Sequence, residues 1–127
     1  MRTDTIFYQL FQTFNTLLFE LIGEPVENAT GYKFTSVEVK EKAFRFDGIF
    51  YPPDQTKPIY FVEVQFQPKP DFYWDLIAEI GMYLRQYKPH YQWKAIAIFC
   101  KRTHDPGKLV QYKEFFESDR IIRILFK

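Results

Sequence analysis

The sequence has a single cysteine, Cys100, among 127 residues, so no internal disulfide can form. Cys100 closes an apolar segment and reads as a small buried hydrophobe, which suits a reducing compartment. Long hydrophobic runs are also missing. The longest clean one, Ala95 to Cys100, is far too short to cross a bilayer. The first residues lack the basic lead and apolar centre of a secretion signal, because Gln9, Gln12, Thr13, Asn15 and Glu20 interrupt them. Histidine occurs twice, as His90 and His104, and neither has a partner at metal-ligand spacing. There is no internal repeat, low-complexity tract or linker. These absences predict a soluble, cytoplasmic, single-domain protein over residues 1–127 that stays out of the membrane.

Aromatic residues are abundant, at 20% of a chain that is 46% hydrophobic, and this excludes a disordered chain. The net charge of +1 conceals an asymmetry. Residues 1–84 hold 7 Lys/Arg against 12 Asp/Glu, whereas residues 85–127 hold 10 against 4. Such segregation arises by chance on solvated surfaces; it also arises where an acidic region holds a cation and a basic one meets phosphate. Charge alone does not choose between them.

Apolar residues at steps of three and four, from Ile6 through Leu10, Phe14 and Leu18 to Ile22, predict a helix over 4–22. Gly23 and Pro25 end it. "KFTSVEVKEK" (33–42) and "FRFDGIFY" (44–51) read as strands. In the second, Phe44, Phe46, Gly48 and Phe50 share one face, with Arg45, Asp47 and Ile49 on the other. "PPDQTKP" is turn material, so residues 44–51 and the strand "YFVEVQFQ" (60–67) form a hairpin. A second helix follows, with Asp71 as its N-cap and Pro89 as its stop. "WKAIAIFC" (93–100) is apolar throughout and calls for parallel neighbours. A short helix over 108–117 and a last strand over 120–126 complete the order α-β-β-β-α-β-α-β. That order implies an α/β fold, a mixed sheet flanked by helices.

The opposite face of "YFVEVQFQ" begins apolar, with Ile59 and Phe61, and then turns to Glu63 and Gln65. Asp47 lies in the paired strand. Two carboxylates brought together need a cation or a proton between them, and oxygen donors of this kind suit Mg²⁺. Spacing leaves a second reading open, in which Glu63 pairs with Arg45 or Lys57 on a solvated sheet face. Glu79, Tyr83 and Gln86 form a polar edge on the second helix, which either packs at the helix margin or meets substrate.

The pattern of Asp47, a turn, then Glu63-Val64-Gln65 between two amphipathic helices resembles the PD-(D/E)XK nuclease superfamily. The phrases "FELIGEP", "SVEVKEKAFRFDGIFYPP", "YFVEVQFQ" and "EIGMYLRQY" are similar to its recombination-promoting nuclease and transposase branch, with an uncharacterised bacterial domain family inside it. The resemblance implies a restriction-endonuclease-like core and a DNA endonuclease that uses Mg²⁺ or Mn²⁺. It implies Asp47, Glu63 and the Val64 backbone carbonyl as metal ligands, joined by Glu20 of the first helix. Gln65 takes the place of the superfamily's catalytic lysine and can only hydrogen-bond where lysine brings charge. Phe46 stands where the motif has proline. Gln86, Lys88, Lys94, Lys101 and Arg102 are candidate substrate contacts, DNA is the implied partner, and a homodimer is one implied assembly. Two alternatives compete with this reading. One is a catalytically inactive module that binds DNA or oligomerises; the other is an interaction domain using Trp74, Tyr91 and Trp93.

Overall fold

The computed structural model describes residues 16–35, 38–39, 44–46 and 48–125. Strands β1 (Lys33–Thr35), β4 (Gly48–Tyr51), β5 (Ile59–Gln65), β6 (Trp93–Phe99) and β7 (Ile121–Leu125) lie side by side in that order. β4 is antiparallel to both β1 and β5, whereas β5, β6 and β7 run parallel. Among the described residues there are three α-helices: α1 (Thr16–Leu21), α2 (Phe72–Tyr87) and α3 (Lys113–Glu117). The fold is therefore the expected mixed α/β sheet, compatible with a restriction-endonuclease-like core. No helix among the described residues is long and apolar enough to cross a membrane.

Alternation along β5 divides the core in two. Tyr60, Val62 and Val64 join Phe50, Ile96 and Ile98 beneath Leu18 and Phe19 of α1. Ile59 and Phe61 join Ile49, Ala95, Ala97 and Phe99 beneath Phe72, Tyr73, Leu76, Ile80 and Tyr83 of α2. Each large side chain sealed in this way stabilises the fold by about 1.5–3 kcal/mol. The crossover through α2 lets β6 lie parallel to β5, which explains why "WKAIAIFC" is apolar on both faces.

Four elements differ from the sequence reading. The predicted strand over 33–42 is divided between two sheets: β1 belongs to the main sheet, while β2 (Glu38–Val39) pairs with β3 (Phe44–Arg45) in a separate ribbon, and residues 36–37 and 40–42 lie outside the described residues. Residues 44–51 are likewise divided. Phe46 belongs to the same cluster as Ile49 rather than that of Phe50, because its ring packs on Phe61 at 4.8 Å. Gly48 keeps the face of Phe50, as its register with Val62 shows, so the change of phase lies before it, at Phe46. A Cβ there would strike the Phe34 ring, which keeps β1 close on β4.

The third difference concerns Asp71, which precedes α2 without a side-chain cap; its backbone carbonyl accepts the Asp75 N–H at 2.9 Å instead. The fourth is the predicted helix over 108–117, which is a 3₁₀ turn at Val110–Tyr112 followed by α3. At the other end of α2, Lys88 takes a left-handed conformation (φ 43°) and closes the helix before Pro89. Of the predicted first helix, residues 4–15 lie outside the described residues, as does Phe126 of the predicted last strand.

Candidate active site

Pairing between β4 and β5 runs from Phe50↔Tyr60 to Gly48↔Val62. Beyond Val62, β5 continues through Glu63, Val64 and Gln65, whose registered neighbours among the described residues are in β6. Glu63 is half-buried, and its Oε1 atom has essentially no solvent contact. Burying a carboxylate at a strand position is costly unless something compensates its charge, so this is where the sequence departs furthest from simple core construction. The Gln65 carbonyl accepts the Cys100 N–H at 3.2 Å, which directs it toward β6. By strand alternation the Val64 carbonyl turns to the opposite side, toward β4. Glu63 and Val64 thus follow directly on Val62, the last β5 residue registered with β4 among the described residues. The Gln65 side-chain amide donates to the Gln67 carbonyl at 2.7 Å.

A polar row crosses the sheet at this level. Glu63 is in register with Ala97, and Ala97 with Arg123. Two inter-strand steps separate the Glu63 and Arg123 backbones by about 10 Å. Arg123 Nη1 lies 2.6 Å from Asp105 Oδ2, and the other Asp105 oxygen accepts the Tyr73 hydroxyl at 3.0 Å and the Gly107 N–H at 2.9 Å. The Asp105 side chain is only 5% exposed. Burial and the neighbouring Asp105 charge push the Tyr73 hydroxyl far above its ordinary titration range, so it serves as a fixed donor. The sequence reading missed this cluster. Its one signal was Arg123, a charged residue inside the apolar strand "RIIRILF".

The other candidates separate by sheet end. Lys101 and Arg102 are exposed and directly follow Cys100, at the Gln65 end of β6. Lys94 is at the opposite end of that strand, and Lys88 is the C-cap of α2. Gln86 is half-buried on the last turn of α2. Glu20 is exposed on α1, whose Leu18 and Phe19 pack on the sheet face opposite to that of Glu63, so the two carboxylates are not brought together. Asp47 lies outside the described residues. Among the described residues no group of three His, Cys, Asp or Glu side chains could hold a metal ion. Trp74 is exposed, and Tyr91 and Trp93 are partly exposed while packing against the α2-side core, as expected for all three.

Residues 3–127, nearly the whole chain, match a family described as a protein of unknown function, DUF2887. The chain belongs to that family. No curated protein and no solved structure matches it significantly. Of the two roles open to the α2 residue Tyr83 in this DUF2887 chain, packing is the one it takes. It is fully enclosed, between Phe46 and Phe61, and its hydroxyl has no hydrogen-bond partner among the described residues. An unsatisfied buried hydroxyl costs free energy. Tyr83→Phe is therefore expected to raise stability by about 1 kcal/mol, read as a higher urea midpoint at unchanged slope. A lower midpoint would show that the hydroxyl has a partner in the folded protein.

Proposed function

We propose that the protein is a metal-dependent endonuclease that hydrolyses phosphodiester bonds in DNA, with Asp47, Glu63 and the Val64 carbonyl as metal ligands. The observation that carries this reading is Glu63, a shielded carboxylate in the middle of the otherwise apolar core strand β5. The Val64 carbonyl, turned toward β4, and the likeness of Asp47 and Glu63-Val64-Gln65 to the PD-(D/E)XK pattern support it. The donor set fits the group: a carboxylate and a backbone carbonyl are hard oxygen ligands of the type Mg²⁺ and Mn²⁺ take. When bound, such an ion polarises the scissile phosphate and lowers the pKa of a ligated water.

The chain's own residues do the rest. Glu63 brings negative charge that holds the cation at the sheet edge. Gln65, with one amide hydrogen on Gln67, retains a second amide hydrogen and a carbonyl oxygen to orient a water or a phosphate oxygen. Lys101 and Arg102, exposed at the same sheet end, are positioned to meet the backbone phosphates of DNA.

The test is nicking of supercoiled plasmid in Mg²⁺ or Mn²⁺ by the wild-type protein, Asp47→Ala and Glu63→Ala. Wild-type cleavage that falls by roughly two orders of magnitude in each variant is the expected outcome. Equal cleavage by all three removes the assignment. A second reading, a nuclease-like module that binds DNA without cutting it, is favoured by Gln65, which brings no charge to the lysine position. It predicts metal-independent DNA binding with no nicking by any of the three proteins.

A further inference from the structure

At the opposite end of the parallel strands, the segments entering β5, β6 and β7 enclose a cleft of about 300 Å³. Its lining includes Pro58, Gln92, Trp93, Lys94, Ser118 and Arg120, with Thr56 at the margin. Arg120 Nη1 donates to Gln92 Oε1 at 3.1 Å and to the Trp93 carbonyl at 2.9 Å, and the guanidinium lies 5.1 Å from the centre of the Trp93 ring. Both acceptors are neutral. The guanidinium is therefore locked in place, yet its charge is not balanced by any carboxylate among the described residues, and three of its five N–H donors are left over. The Lys94 ammonium also has no ion-pair partner among the described residues.

The walls are tied to the sheet. The Gln92 carbonyl accepts Ile59 N–H at 2.8 Å, and the Arg120 carbonyl accepts Ala95 N–H at 2.8 Å. Asp119, in a left-handed conformation (φ 59°), turns the chain out of α3 so that Arg120 enters the cleft. One carboxylate is near the margin. Asp54 is bound by the Thr56 hydroxyl and N–H, which hold its carboxyl below the usual range, and it is fully exposed. It repels an anion only weakly across solvent and removes Thr56 as a ligand donor.

The geometry points to a binding site for a small phosphate monoester in this cleft, independent of the proposed nuclease site. Two uncompensated cations match the two negative charges of such a group. The planar arginine suits bidentate contact with its oxygens, and Pro58 and Trp93 offer apolar surface to the esterified body. A volume of about 300 Å³ admits a ligand of roughly that class.

Trp93 is one of only two tryptophans, so a Trp74→Phe protein reports on the cleft wall by fluorescence. The probes are adenosine monophosphate, adenosine, and a single-stranded oligonucleotide without terminal phosphate. A saturable change with the monophosphate and none with adenosine at the same concentration is expected. Arg120→Gln and Lys94→Gln should each weaken binding about tenfold, the loss of one charge-assisted contact. Lys94→Gln breaks no side-chain hydrogen bond or ion pair among the described residues, so it tests the site even where Arg120→Gln loosens the fold. The assignment is overturned by an equal response to adenosine, by unchanged affinity in Lys94→Gln, or by no saturation at millimolar monophosphate. Tighter saturation by the oligonucleotide would instead place a nucleic-acid phosphodiester in the cleft, and would overturn it as well.

Discussion

Asp105→Ala lowers the unfolding free energy by about 3 kcal/mol, in the range seen when one partner of a buried ion pair is removed. Three contacts are lost together: Arg123 at 2.6 Å, the Tyr73 hydroxyl at 3.0 Å and the Gly107 N–H at 2.9 Å. The side chain of Arg123 is 27% exposed and can still reach water, which keeps the cost at the lower end of that range. Tyr73 has no such escape. It is buried against Phe99 and Phe116, and its hydroxyl would face the vacated position without an acceptor. Asp105→Asn keeps an oxygen for Tyr73 and Gly107 while removing the charge, so it should fall between wild type and Asp105→Ala. Urea unfolding measures both. A loss below about 1 kcal/mol in Asp105→Ala would mean that the loop after β6 is held without this clasp.

The same cluster shows where sequence reading reaches its limit. Helix α2 was legible because its apolar period repeats over many residues, and β5 and β6 because their long apolar runs, bounded by turn residues, suit strands buried on both faces. The faces of "YFVEVQFQ" followed directly. Asp105, in contrast, is a turn residue in "THDPGK", and turn residues carry no period. Its partners Tyr73 and Arg123 lie 32 and 18 residues away, a closeness that only the packed sheet creates.

The strand near Asp47 failed for a related reason. Gly48 and Phe50 share a face as the alternation predicts, but Phe46 lies outside β4 and turns to the α2 side to meet Phe61 and Tyr83. The candidate site was legible as chemistry, in Glu63 and Gln65, rather than as geometry. Basic residues grouped by charge in the sequence belong to opposite sheet ends, Lys101 and Arg102 beside Gln65, and Lys94 in the distal cleft.

Alkaline pH should unfold the protein through its tyrosines. Tyr60 is pushed up to about 12, first by burial and then by the charge of Glu24. Burial also drives Tyr32 and Tyr73 upward, further than Tyr60. Tyr32 is fixed in addition by its hydroxyl donating to the Pro58 carbonyl at 2.6 Å. An unfolded tyrosine releases its proton near pH 10. Above that point the folded chain therefore holds more protons than the unfolded one, and stability falls as pH rises. The contribution is fully present below about pH 10 and is lost as pH climbs through the folded values, at up to about 1.4 kcal/mol per pH unit for each group.

Above pH 10 the three groups act in the same direction, so their losses add as the pH rises. Phenolate absorbance and far-ultraviolet circular dichroism, followed over the same titration, should show the buried tyrosines ionising in the step that destroys the fold. Tyr60→Phe removes one of the three ionisations and should move that step to higher pH. If all the phenolate absorbance rises near pH 10 while the dichroism holds, these hydroxyls reach water in the folded state, and the packing of Phe19 against Tyr32 and Tyr60 does not seal them.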